Sequence, residues 1–117
     1  MARDRILAGK RVLLIEDDPV IKLGLEAALR EAGAVIVRSF EQPADAAVLD
    51  VNLGHSVTVS PIAEVLRQRN VPFFFYTGQS EAFLAPVRKR FPQNRMLYKP
   101  AKAEQIVAEV SRLWETR

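Results

Sequence analysis

A chain of 117 residues, 49% hydrophobic and 26% charged, has ordinary globular composition and enough length for one domain with one core; this excludes an intrinsically disordered segment. It has no cysteine, which excludes disulfides, thiolate metal sites and cysteine nucleophiles. The net charge of +3 and the pI near 9.6 raise nucleic-acid binding, to be weighed against where the basic residues fall.

Residues 1–10 are charged and lack the apolar stretch of a signal peptide, and no later apolar run is long enough to span a membrane. A cytoplasmic protein is expected. Residues 11–15 are almost wholly apolar and lead into Glu16, Asp17 and Asp18, as suits a central parallel strand buried on both faces. A helix follows: Asp18 can cap it, Pro19 fits its first position, and Gly33 sits where a left-handed C-terminal residue belongs. Ile21, Leu25, Ala28, Leu29 and Ala32 give that helix one buried stripe.

Residues 34–37 read as a second strand and 46–49 as a third, which runs straight into Asp50. Ser60 and Pro61 open a helix through Ile62, Val65 and Leu66 that stops near Asn70. Residues 71–76 read as a fourth strand, ending at Thr77 and Gly78. The helical stretch 81–91 contains Pro86 and is expected to be short or kinked. It also carries Arg88, Lys89 and Arg90, with Arg95 nearby. Neighbouring helical residues point in different directions, and no aromatic interleaving accompanies them, so a solvated surface favouring an acidic protein partner is preferred over nucleic-acid binding. Residues 96–98 form a fifth strand before Lys99 and Pro100, and the last helix is expected to bury Ala103, Ile106, Val107, Val110, Leu113 and Trp114.

Strands alternating with helices imply an α/β fold with a parallel sheet, in which ligands bind beyond the carboxyl ends of the strands. Those ends carry Glu16 and Asp17, Asp50, Thr77 and Lys99. Three carboxylates brought to one point repel one another, and a hard divalent cation such as Mg2+ resolves the repulsion. A lysine and a hydroxyl at the same edge complete what phosphoryl transfer to a carboxylate demands. His55, the sole histidine, lies in a polar loop and is given no catalytic role; Phe73–Phe75 read as core.

Four phrases carry a family resemblance: residues 14–19 around Glu16 and Asp17, 48–54 around Asp50, Tyr76-Thr77-Gly78, and Tyr98-Lys99-Pro100. In this order, each ending a strand, they resemble the receiver domains of two-component response regulators over essentially the whole chain, residues 1–117 as a single domain. The resemblance implies a flavodoxin-like, doubly wound five-stranded parallel sheet of order 2-1-3-4-5. It implies that Asp50 accepts a phosphoryl group from a sensor histidine kinase or phosphotransfer protein, in a self-catalysed reaction rather than as a turnover enzyme. Asp17, Glu16, Asp50 and the Asn52 backbone carbonyl would hold Mg2+, Thr77 and Lys99 would bind phosphoryl oxygens, and the Lys99–Pro100 peptide bond would be cis. The signal would leave through contact with a downstream protein. The 50–54 and 75–78 phrases also resemble the alphaproteobacterial branch named for its Phe-Ala-Thr-Gly motif, with Tyr76 in place of its alanine.

Two departures stand out. Asp17 to Asp50 spans 50 − 17 = 33 residues, short by about one helix of ~11 residues. The eight residues 38–45 reach at most about 26–29 Å, so the second crossover helix is expected to be missing or reduced to a turn. This would leave apolar sheet surface near strands one and three uncovered, a surface for a homodimer or a docked partner. The second departure is Met96, three before Lys99, where relatives carry a switching aromatic; movement of the segment from Gly78 to Pro86, or of the kinked helix behind it, would have to serve instead. Asn52 and Gln79 stand where receivers tune phosphoryl lifetime, and their amides cannot act as strong bases. The alternative reading is a degenerate receiver that docks without phosphorylation. A haloacid-dehalogenase-type phosphatase would want an Asp at Asn52, and a dinucleotide site would want a glycine-rich turn after the first strand.

Overall fold

The structure, a computed structural model, describes residues 5–51 and 59–115. Nine elements follow one another among the described residues: β1 (Arg11–Ile15), α1 (Pro19–Glu31), β2 (Val35–Val37), β3 (Ala46–Leu49), α2 (Ser60–Gln68), β4 (Phe73–Thr77), α3 (Glu81–Arg90), β5 (Met96–Tyr98) and α4 (Ala103–Arg112). All five strands are parallel, in the order β2-β1-β3-β4-β5, so the expected doubly wound sheet is present. No helix among the described residues is long and apolar enough to cross a membrane. Asn52 and His55 lie outside the described residues.

Each sheet face closes its own core because alternate strand residues point to opposite sides. Val12, Leu14, Val48 and Phe74 pack under α1 and α4, against Leu25, Leu29, Ile106 and Val110. Leu13, Leu49, Phe73 and Phe75 pack under α2 and α3, against Ala63, Leu66, Leu84 and Val87. Phe73, Phe75 and Phe91 form edge-on and tilted ring pairs at 5.4 to 5.9 Å. Leu113 and Trp114 pack on the first cluster as expected, but Ala103, in the first turn of α4, is exposed.

Local chemistry sets the element ends. Asp18 caps α1 by accepting from Val20 N (2.8 Å) and Ile21 N (3.2 Å). Gly33 ends it with φ of +99°, and a Cβ there would stand 2.8 Å from Ala8 Cα. Ala34, expected in β2, instead donates to Leu29 O at 3.0 Å and closes the helix end. The N-terminal segment docks on that end: Leu7 N donates to Ala32 O at 2.9 Å, and Leu7 is fully buried. Asn70 terminates α2 with φ of 60°. The fourth strand starts at Phe73 rather than Val71, because Val71 N is taken by Leu66 O and Pro72 has no N–H to give. α3 is short, ten residues, and continues through Pro86. Ser80 caps it at Phe83 N, and the burial of Leu84 and Val87 on either side of Pro86 offsets the bond the proline cannot donate.

No helix joins β2 to β3, and residues 38–45 hold only a turn, in which Gln42 N donates to Ser39 O at 3.0 Å. The consequence expected from this is corrected. Leu13, Ala47 and Leu49 are fully buried, so the face near β1 and β3 is not an open apolar patch. Ala44 of the short connection packs into the α2–α3 core. Arg69 after α2 donates to Phe40 O, and Arg38 pairs at 2.8 Å with Glu26, a buried carboxylate on α1. Among the described residues, the sheet face near β1 and β3 therefore offers no bare apolar surface of the kind expected for a dimer.

Candidate functional site

The carboxyl ends of β1, β3 and β5 deliver Glu16, Asp17, Asp50 and Lys99 into one open pocket of about 410 Å³, walled on one side by Pro19 and Ile21 of α1. Asp50 follows β3 directly, and its N–H donates to Ile15 O at 2.8 Å, fixing the two strand ends side by side. Asp50 and Glu16 are buried while Asp17 is exposed.

Lys99 organises this pocket. Its Nζ lies 2.8 Å from Glu16 Oε1 and 3.5 Å from Asp50 Oδ2. Glu16 Oε2 accepts from Asp18 N at 3.0 Å, while Oε1 has no well-angled hydrogen bond among the described residues, leaving the ammonium as its compensation. Burial pulls the Lys99 ammonium toward deprotonation, but Glu16 and Asp50 outweigh it and hold the pKa above its ordinary value.

The remaining expected residues divide. Thr77 is fully buried at the end of β4 but does not line the pocket; its Oγ1 accepts from Gln79 N at 3.0 Å. Asn52 falls outside the described residues. The Lys99–Pro100 bond is cis, as expected. Met96 is partly buried against the α2–α3 core and does not reach the pocket.

One contributor was not foreseen. Tyr76 presents its ring to Lys99 Nζ, 5.5 Å from the centroid, and its hydroxyl accepts from Ala101 N at 3.0 Å. It thus grips the segment on both sides of Pro100. In sequence it stands only within the Tyr76-Thr77-Gly78 phrase, with no role of its own; the signal was a hydroxyl-bearing residue immediately before Thr77.

The all-oxygen, carboxylate-rich donor set suits Mg2+, and Asp17 faces solvent where such an ion would enter. Among the described residues no three acidic side chains are already spaced to hold a metal. Lys99 pairs with two of the three, Glu16 and Asp50.

A second cavity, of about 400 Å³, opens at the opposite ends of the strands beside Arg67, Arg95 and Arg112. Arg67 pairs with Glu64, and Arg95 and Arg112 share Glu109, so each of these guanidinium groups already has a carboxylate partner.

Fold comparison decides the architecture. A response regulator receiver protein from Sinorhizobium medicae is 24% identical over 92% of this chain and 95% of its own, with a TM-score of 0.74. The receiver domain of a sensor histidine kinase from Pseudomonas aeruginosa, solved with magnesium in its active-site cleft, is 24% identical over 91% of this chain and 98% of its own, with a TM-score of 0.77. The chain has the receiver fold. The receiver domain of a modulated diguanylate cyclase from Desulfovibrio desulfuricans, described as an example of alternate folding, superposes at a TM-score of 0.78 with 20% identity, over 92% of this chain and 95% of its own. No protein-family model matches the sequence, and no curated protein is significantly similar to it. At these identities the receiver likeness is one of fold, and the chemistry rests on the residues of the pocket.

Proposed function

We propose that this chain is a two-component receiver that takes a phosphoryl group onto Asp50 and passes the signal on by contact with a protein. The observation that carries this reading is the placement of Asp50, Glu16, Asp17 and Lys99 in one pocket at the strand ends of a receiver fold. The donor class is a phosphohistidine of a sensor kinase or phosphotransfer protein, in the cytoplasm. The 50–54 and 75–78 phrases support placement near the Phe-Ala-Thr-Gly branch, Tyr76 being the departure.

In the transfer, an Asp50 carboxylate oxygen attacks phosphorus as the P–N bond to the donor imidazole breaks. The imidazole leaves with the bonding pair, and the product is an acyl phosphate on Asp50. Glu16 and Asp17, with Asp50 and the Asn52 carbonyl, are the groups that would hold Mg2+; when bound it neutralises charge shared by these carboxylates and the phosphoryl oxygens. Lys99 Nζ, already 3.5 Å from Asp50 Oδ2, exchanges its contact with Glu16 for one with a phosphoryl oxygen. Thr77 hydroxyl donates to another oxygen after the strand end moves toward the pocket. Burial of Asp50 limits the access of water to the acyl phosphate.

The test is intact-mass measurement after incubation with Mg2+ and acetyl phosphate, with Asp50→Asn as the control. A single phosphate adduct in the wild type and none in the variant supports the reading. No adduct from acetyl phosphate or from a panel of histidine kinases favours the alternative, a receiver fold that docks without phosphorylation.

A further inference from the structure

Thr77 and Tyr98 are partners across β4 and β5, and Lys99 N donates to Thr77 O at 2.8 Å. Only Gly78, Gln79 and Ser80 separate Thr77 from Glu81, the first residue of α3. That short connection is already tied at both ends, by Gln79 N on Thr77 Oγ1 and by Ser80 capping Phe83 N. The Tyr98 hydroxyl then donates to Glu81 Oε2 at 2.7 Å. Arg88, two turns further along α3, donates to the same phenol oxygen and to both Glu81 oxygens at 3.1 and 3.2 Å. A closed ring results: along the chain from Thr77 to Glu81, across to Tyr98, and back through the sheet to Thr77.

We propose that Tyr98 is a positioning residue which, with Glu81 and Arg88, latches the first turn of α3 to β5 and holds Thr77 withdrawn from the pocket until phosphorylated Asp50 draws it in. The proposal rests on the receiver reading above and names the part of that site which reports its state. It accounts for two features together: Thr77 does not line the pocket, and Met96 leaves no aromatic at the position three before Lys99. Every member of the latch lies at the surface, and Tyr98 is 42% exposed, so solvent screens its ion pair. One new hydrogen bond from Thr77 to a phosphoryl oxygen is of comparable strength and suffices to open it. Opening frees the exposed Tyr98 and Arg88 side chains and so changes the surface of α3 and β5.

Linkage makes the proposal testable at equilibrium. If occupancy of Asp50 opens the latch, removing the latch strengthens occupancy. The probe is beryllium fluoride with Mg2+, titrated into the full chain carrying tyrosine labelled at the phenol carbon. Tyr98→Phe and Glu81→Gln should each tighten binding about two- to fivefold, with the double variant no tighter than the stronger single one. In the wild type the Tyr98 phenol resonance should move toward that of free tyrosine on binding, a signature that loss of stability alone would not give. Binding that is unchanged or weaker in both variants, with an unmoved Tyr98 resonance, overturns the latch and leaves the receiver reading standing. Failure of the wild type to bind at all overturns both.

Discussion

The Lys99 ammonium stands 2.8 Å from the buried Glu16 carboxylate, closer than its 3.5 Å approach to Asp50. One cation thus neutralises two carboxylates that would otherwise repel each other across the pocket. Lys99→Met should lower stability by about 1–3 kcal/mol at neutral pH, read by urea unfolding, because Glu16 keeps its burial and loses its charge partner. It should also slow adduct formation about a hundredfold. Adding Glu16→Gln should restore stability without restoring phosphorylation. A raised lysine pKa stabilises the fold fully below its unfolded value, and the contribution is lost as pH rises through the folded value. The stability gap between wild type and Lys99→Met should therefore narrow only above about pH 10.5.

Asp45 ties the short β2–β3 connection to the start of β1. Its carboxylate accepts from Arg11 N at 2.8 Å and pairs with the Arg11 guanidinium, while its own N–H donates to Arg11 O at 2.7 Å. The hydrogen bonds from Arg11 hold the Asp45 carboxyl below its ordinary pKa. A depressed carboxylate stabilises above the unfolded pKa and loses its contribution as pH falls through the folded one. Asp45→Asn should cost about 1 kcal/mol at neutral pH after allowance for solvent screening, with the difference disappearing as the pH falls below about 3.8.

Tyr76→Phe keeps the ring facing Lys99 and removes the acceptor of Ala101 N. We expect a loss of about 1 kcal/mol, roughly 4 °C in Tm by calorimetry. Adduct formation should slow as the Lys99–Pro100 segment loses its anchor, and Tyr76→Ala, which removes the ring as well, should be slower still. Equal rates for Tyr76→Phe and wild type would show that the hydroxyl serves the fold alone.

Gly33→Ala should destabilise by about 1–3 kcal/mol in chemical denaturation, since the site combines φ of +99° with a Cβ 2.8 Å from the backbone of Ala8. Gly24→Ala on α1, where an added Cβ meets nothing within 4 Å, should instead be neutral or stabilising.

The strands and helices were legible from apolar runs and caps, their order in the sheet from the receiver resemblance, and the loss of one crossover helix from the length of one connection. The consequences of that loss were not. Counting residues between β2 and β3 could not reveal that Ala44 would pack against the core, or that Arg38 and Arg69 would pin the turn to α1 and α2. Leu7 was hidden in a charged N-terminal segment, though its burial depends on the close approach that Gly33 permits. Pro86 pointed to a short or kinked helix, and α3 is a helix of ten residues with the proline inside it. At the site, Glu16, Asp17, Asp50 and Lys99 were readable as strand-end residues and do share a pocket. Which carboxylate Lys99 holds more closely and where the Thr77 hydroxyl turns depend on side-chain torsions, which leave no periodic trace in sequence.

The central claim is that Asp50 is the phosphoryl acceptor. The most direct measurement is to phosphorylate the chain with Mg2+ and acetyl phosphate, reduce the acyl phosphate with borohydride, and map the product by peptide mass spectrometry. The account predicts reduction of one residue, Asp50 to homoserine, dependent on Mg2+ and slowed about a hundredfold by Lys99→Met. Modification at another carboxylate, or none when the folded wild-type protein is used, would contradict it.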